Sequence, residues 1–150
     1  MNNSYGDAYD GAGMEDDWAI LKCETPLGVG RLGRVTTNSA SEMLSYTYYT
    51  QGYPFDKNIA EFGENPDLEN LIQYRMYKTS GKVIKDVGSS LVTINMDTAT
   101  GQSGSPIYRY HKDHGYVAQA MIVASNSYYQ SNYALLLNNY LCGKINKAAK

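Results

Sequence analysis

The sequence has no long hydrophobic run and little excess charge of either sign. No apolar stretch in its 150 residues approaches the roughly 18 needed to cross a bilayer, and residues 1–7 lack the basic and apolar regions of a signal peptide. Lysine and arginine total 13 against 15 acidic residues, a net charge of −2. Because nucleic acids and anionic membranes are bound through basic patches, neither is expected as a partner.

Cysteine is also scarce, with only Cys23 and Cys142 in the chain. The two are too far apart in sequence for a zinc or thioredoxin motif, so neither a metal nor a cofactor is expected. They either form one disulfide or remain free thiols. The second alternative is slightly favoured, because a free cysteine commonly behaves as a small buried hydrophobe.

Tyrosine is abundant, with 15 residues against two phenylalanines and one tryptophan. Tyrosine is favoured in strands and on partly buried surfaces, where the ring is buried and the hydroxyl remains in contact with water. Short stretches of β-type sequence, separated by glycine, proline and polar turns, favour strands at residues 18–23, 44–49, 71–78, 83–87, 90–95, 107–108, 116–124 and 132–137.

This spacing predicts an all-β fold, an antiparallel barrel that closes between about residues 44 and 137. The expected connections are a hairpin turn at residues 79–82 and an acidic loop over residues 56–70. A short helix is expected at residues 138–149, weakened by Gly143.

The most informative stretch is Gly101-Gln102-Ser103-Gly104-Ser105-Pro106, which lies between two predicted strands. Such clusters usually mark plain turns. A serine between glycines, however, also suits a hydroxyl nucleophile, because small neighbours leave room for a substrate and glycine lets backbone amides turn toward one oxyanion. Ser103 is therefore the candidate nucleophile, and the amides of Gly101 and Ser103 form the candidate oxyanion hole.

This loop resembles that of chymotrypsin-like serine endopeptidases, specifically the bacterial glutamyl-endopeptidase branch. Asp17-Trp18-Ala19-Ile20-Leu21 resembles the segment that carries the triad aspartate, and Gly52-Tyr53-Pro54 resembles a motif after the first strand of the second barrel. The resemblance extends over about residues 15–141. It implies a peptidase fold, acyl-enzyme chemistry on protein or peptide substrates, secretion, and a triad role for Asp17 in orienting a histidine.

The same resemblance implies a division of the chain. Residues 1–14 would be a flexible lead-in, residues 15–35 a remnant of the first barrel with its connector, and residues 36–150 a nearly complete second barrel with the C-terminal helix. An apolar surface around Trp18, Ile20 or Leu21 would then lack the first-barrel strands that cover it in a complete enzyme.

The catalytic histidine of that family is missing. The family order places histidine before aspartate and serine, whereas His111 and His114 both follow Ser103 and occupy a charged hairpin typical of an exposed turn. The general base is expected to come from an absent N-terminal barrel segment, which is a candidate partner.

The resemblance also implies a substrate-binding group. Thr98 lies five residues before the nucleophile, where glutamate-specific relatives place a threonine in the specificity pocket. Those relatives have a histidine on the following strand where this chain offers Met121, Ile122 or Val123, which weakens the case for acidic specificity. Ser125 and Asn126 are the nearest polar candidates.

Two functions therefore compete. The first is a serine endopeptidase that depends on a base from outside the chain. The second is a catalytically inactive, peptidase-like module with a binding or regulatory role, because a serine hydroxyl without a base is a poor nucleophile at neutral pH.

Overall fold

The computed structural model describes residues 13–25, 28, 30–62, 74–88, 90–126 and 131–150. It contains one mostly antiparallel sheet built from β1 (Gly33–Arg34), β2 (Tyr48–Gly52), β3 (Tyr77–Gly81), β4 (Val83–Gly88), β5 (Leu91–Ile94), β6 (Pro106–His111), β7 (Gly115–Asn126) and β8 (Ser131–Leu136). The helices are α1 (Phe55–Phe62) and α2 (Asn139–Ala148), with 3-10 turns at Met14–Asp16 and Ala40–Glu42.

The strands follow the order β3-β2-β6-β7-β8-β5-β4. The two strands at the ends of this order, β3 and β4, are consecutive in sequence, and the chain between them closes the barrel. β3 and β4 form one bent stretch that pairs with β2 before the bend and with β5 after it. Lys82 marks the bend, where its amide donates to Asn95 Oδ1 at 2.6 Å and its carbonyl accepts from the Asn95 amide at 3.1 Å. The predicted all-β antiparallel barrel is confirmed, but the predicted hairpin turn at residues 79–82 is wrong.

A Cβ at Gly81 would lie 2.9 Å from Met96 Cγ and 3.1 Å from the Met96 amide nitrogen. The bend therefore requires glycine on its β3 side, because a side chain would collide with the neighbouring strand end.

The barrel interior is filled by alternate residues of neighbouring strands, as the period of two in a strand requires. Ala120 and Ile122 of β7 face Ala134 and Leu136 of β8 within the same buried cluster. The intervening residues form a second cluster on the outer face, made by Leu91, Val123, Leu135 and Leu141, with Met14, Trp18, Met121 and Tyr133 packed against it. This outer cluster holds both α2 and the 3-10 turn at Met14–Asp16 against the barrel.

A buried polar group binds the segment between β1 and β2 to the barrel. Gln119 Nε2 donates to Thr37 Oγ1 at 2.9 Å, while Gln119 Oε1 accepts from Tyr48 Oη at 3.0 Å and from Arg109 Nε at 2.8 Å. Burial raises the pKa of Tyr48, although the nearby guanidinium of Arg109 acts in the opposite direction. The network thus joins the segment between β1 and β2 to the strands β2, β6 and β7.

The predicted α2 is confirmed. Its first turn is capped by Asn138, whose Oδ1 accepts from the Leu141 amide at 2.9 Å. Within the described part of the chain, neither helix is long and apolar enough to cross a membrane.

Four local predictions need correction. Residues 18–23 form no strand, and β2 begins at Tyr48 rather than at residue 44. The first part of the predicted acidic loop is α1, while residues 63–70 lie outside the described part. The strand predicted at residues 71–78 begins only at Tyr77, with residues 71–73 outside the description.

Candidate functional site

Ser103 is exposed on the turn between β5 and β6. The turn is hydrogen-bonded to β7: the Gly104 amide donates to the Ile122 carbonyl at 2.7 Å, and the Ile122 amide donates to the Ser105 carbonyl at 2.9 Å. These bonds extend the β6–β7 pairing past Pro106 and present the Ser103 hydroxyl to solvent.

Two glycines shape this turn, with φ of +95° at Gly101 and +82° at Gly104. Both values lie in the region that side chains disfavour. A Cβ at Gly101 would lie 2.6 Å from the Tyr53 carbonyl oxygen, whereas a Cβ at Gly104 would meet nothing within 4 Å. Gly101 is therefore required by both conformation and space, and Gly104 by conformation alone.

The backbone amides of the turn fall into two groups. Those of Gln102, Gly104 and Ser105 donate to carbonyls, at distances of 3.1, 2.7 and 2.9 Å. Those of Gly101 and Ser103 have no acceptor among the described residues. The free amides are the two that were predicted to bind an oxyanion.

The Gly52-Tyr53-Pro54 segment packs directly against the turn. A Cβ at Gly52 would collide with Ser105 Oγ and lie 3.3 Å from Gln102 Cγ. Just after the motif, the Phe55 amide donates to the Thr100 carbonyl at 2.7 Å. The sequence resemblance at this motif thus has a physical basis, because residues 52–55 pack against the turn that carries the candidate nucleophile.

Asp17 follows the 3-10 turn at Met14–Asp16 and is exposed. Its neighbours Met14 and Trp18 pack on the outer cluster that includes Met121 and Val123 of β7. Trp18 also makes an edge contact with Tyr140, at 6.2 Å between ring centroids. The Asp17 segment and the Ser103 turn are therefore attached to the same stretch of β7, one by side-chain packing and the other by backbone hydrogen bonds.

The predicted substrate-binding residues are brought together in part. Thr98 Oγ1 and Ser125 Oγ lie 3.2 Å apart and share a hydrogen bond, although they are far apart in sequence. Asn126 is the last residue of β7, and its side chain lies outside the described part. Thr98 and Ser125 thus offer two adjacent hydroxyls at one end of β7.

The two histidines lie at the tip of the β6–β7 hairpin. Their rings stack with centroids 4.7 Å apart, and the Asp113 amide donates to His111 Nδ1 at 3.2 Å. His111 is at the opposite end of β6 from Pro106, about 17 Å away along an extended strand. Neither histidine is placed to take a proton from Ser103.

The cysteines are both free thiols, Cys23 exposed and Cys142 buried. The disulfide alternative is not realised. Burial fits the expectation for Cys142, but Cys23 belongs to a stretch in which each described residue from Ala19 to Leu32 is exposed.

Sequence reasoning overlooked Gln102, which is 3% exposed and lies against Ser103. It lines a cavity of about 170 Å³ behind the turn, together with Lys57, Lys78, Asp97 and others. A polar residue at the centre of a Gly-Ser loop looks like an ordinary solvated turn residue, so its burial could be known only from the folded chain.

Among solved structures, the chain resembles a Glu endopeptidase in complex with MPD, at 21% sequence identity and a TM-score of 0.61. The match covers 81% of this chain and 49% of the other, so the chain spans about half the length of that protein. No family model and no curated protein matches the sequence. The fold is thus that of half of a chymotrypsin-like peptidase.

Proposed function

We propose that the chain is the nucleophile-bearing half of a serine endopeptidase that cleaves protein or peptide substrates outside the cell. The observation that carries this proposal is the exposed hydroxyl of Ser103 beside two amides, those of Gly101 and Ser103, that have no acceptor among the described residues. An unsatisfied pair of donors next to a hydroxyl suits a developing oxyanion better than it suits a plain turn.

The reaction follows from these groups. Ser103 Oγ attacks the substrate carbonyl while a histidine takes its proton, and the two amides stabilise the tetrahedral oxyanion. Collapse of that intermediate releases the amine, which receives the proton, and leaves an ester on Ser103. Water then attacks the ester by the same steps and regenerates the hydroxyl. Asp17 would hold the histidine, which an upstream barrel segment supplies.

The adjacent hydroxyls of Thr98 and Ser125 could hydrogen-bond to a polar side chain of the substrate, and so favour a preference for such side chains. A carboxylate preference has less support, because no histidine stands on the following strand and Ile122 points into the barrel core. The substrate pocket is therefore proposed to select polar over large apolar side chains, with Asn126 as a further lining residue.

The test replaces the missing base with a soluble one. The chain is incubated with a fluorophosphonate in the absence and presence of imidazole, and the labelled residue is identified by mass spectrometry. Labelling of Ser103 should be slow alone and should rise with imidazole concentration, because imidazole can take the hydroxyl proton. Ser105→Ala should label like the wild type, and Ser103→Ala should not label.

The second candidate is an inactive, peptidase-like binding module. It is favoured by one observation, that both histidines of the chain are held at the distant hairpin tip. If Ser103 is unlabelled at every imidazole concentration although the chain is folded, the binding-module interpretation replaces the endopeptidase proposal.

A further inference from the structure

Gln102 is a buried polar residue whose side chain is used inside the turn that carries Ser103. Its fractional exposure is 3%. A buried amide without a hydrogen bond is costly, so the position of such a group is set by the partner it finds. Here the partner is the backbone three residues earlier.

Gln102 and Ala99 form a reciprocal pair. The Ala99 amide donates to Gln102 Oε1 at 2.8 Å, and the Gln102 amide donates to the Ala99 carbonyl at 3.1 Å. These two bonds close residues 99–102 into a small ring. Gly101, at φ +95°, lies on this ring, and its amide has no acceptor among the described residues.

Gly52 and Phe55 pack against the ring formed by residues 99–102. Gln102 Cγ lies against Gly52, and the Thr100 carbonyl accepts from the Phe55 amide at 2.7 Å. Because the Gln102 side chain is directed inward, the turn exposes the next side chain, Ser103. In the same geometry, no described residue accepts a hydrogen bond from the Gly101 or Ser103 amide.

We infer that Gln102 is the positioning residue of the oxyanion hole: its side-chain carbonyl holds the Ala99 amide and so fixes the Gly101 and Ser103 N–H groups in their anion-binding orientation. The inference rests on the proposed function for its chemical meaning. The required property is an acceptor at the Oε1 position, which glutamate supplies and methionine, of similar length, does not.

The experiment compares Gln102→Glu and Gln102→Met in the full chain, with Gln119→Met as the control. Gln119 is another buried glutamine with side-chain hydrogen bonds, but it lies away from the turn. Two quantities are measured: the imidazole-dependent rate of fluorophosphonate labelling at Ser103, and hydrogen exchange of the Ala99 amide by NMR.

Gln102→Glu should label within about threefold of the wild type, with a slowly exchanging Ala99 amide. Gln102→Met should label at least about tenfold more slowly, because losing oxyanion donors costs roughly 10²–10³ in rate when one is removed entirely. Its Ala99 amide should exchange quickly. Gln119→Met should lower Tm without changing the labelling rate.

The possible failures are distinguishable. If Gln102→Met labels like the wild type while its Tm falls as in Gln119→Met, Gln102 is only structural and the inference is overturned. If the wild type is not labelled, yet the Ala99 amide is slow in the wild type and the Glu variant and fast in the Met variant, the loop geometry stands and the proposed function fails. Should Gln102→Met not fold, a fast Ala99 amide in the wild type would overturn the inference.

Discussion

The two segments that carry the candidate catalytic residues are held in very different ways. Residues 99–105 are fixed by backbone bonds to β7, by the Gln102 ring and by contact with Gly52. On either side of Asp17, Met14 and Trp18 pack on the outer cluster, and no described residue from Ala19 to Leu32 makes a backbone hydrogen bond. The first segment is thus held by several hydrogen bonds and contacts within the barrel. The second is held by side-chain packing at its start, and its described residues are exposed from Ala19 to Leu32.

This difference follows from where the contacts of each segment come from. Every partner recorded for the Ser103 turn among the described residues belongs to the same barrel, from Gly52 to Ile122. The exposed stretch includes Leu21, 88% exposed, and Ile20, 36% exposed, whereas Trp18 is half-buried. Of the three apolar side chains expected to lack cover, Ile20 and Leu21 are therefore exposed and Trp18 is packed on the outer cluster. That first-barrel strands would cover this surface stays a prediction.

The largest effect is expected at the best-fixed point, Gly101. Gly101→Ala would place a methyl group 2.6 Å from the Tyr53 carbonyl oxygen in a disfavoured backbone region, so unfolding free energy should fall by about 3 kcal/mol. Gly104→Ala is the matched control, because its φ is also positive but its Cβ meets nothing; about 1 kcal/mol is expected. Urea unfolding of both variants measures the difference, and equal losses would show that the Tyr53 contact does not constrain the turn.

The anchor of the second segment should come next. Trp18→Ala removes the aromatic contact with Tyr140 and with the outer cluster, and should lower the unfolding free energy by about 2 kcal/mol. Leu21→Ala should change it by less than about 0.5 kcal/mol, because that side chain is already in solvent. Trp18→Phe should be close to neutral, since the buried indole N–H has no described acceptor.

A comparable or larger loss for Leu21→Ala than for Trp18→Ala, in the same urea unfolding series, would mean that the exposed stretch is packed in solution. The contrast between the two segments would then be wrong.

The smallest effect concerns pH. Burial raises the pKa of Tyr48 above its ordinary value of 10.0, so the folded chain keeps that proton at pH values where the unfolded chain has lost it. The associated stability is fully present below pH 10 and is lost as pH rises through the folded pKa. Tyr48→Phe should cost about 1 kcal/mol at pH 8, for the bond to Gln119, and its Tm should decline less steeply than that of the wild type above pH 10.

The two proteins differ only at residue 48, so the difference between the two Tm curves isolates the effect of Tyr48. Parallel curves above pH 10 would show that Tyr48 is accessible to solvent in the folded chain.

Much of the barrel could be predicted because its signals are local. The β6–β7 hairpin, β8 and α2 each have a run of suitable residues and clear ends. Helix α1 was missed although Phe55, Ile59 and Phe62 follow helical spacing, because acidic residues and Pro66 favoured a loop interpretation. Thr79-Ser80-Gly81 is typical of a turn, so the sequence predicts a hairpin where the structure has the bend at Lys82. Only the pairing of β3 with β2 and of β4 with β5 shows that the strand continues.

The candidate site divides in the same way. The Ser103 turn could be predicted because its glycines and serine stand together in sequence. The closeness of Thr98 to Ser125 depends on the path of β7, and was expected from resemblance alone. The role of Gln102 could not be predicted, because its partner Ala99 is identified only by the folded backbone.

Hydrogen exchange of the amides in residues 99–105 tests the central claim most directly, which is that the Ser103 turn is built in advance with two donors left free. NMR of the isolated chain should show slow exchange at Ala99, Gln102, Gly104 and Ser105, and fast exchange at Gly101 and Ser103, as fast as at the exposed residues 19–25. Uniformly fast exchange across the turn, or protection of Gly101 and Ser103 themselves, would contradict it.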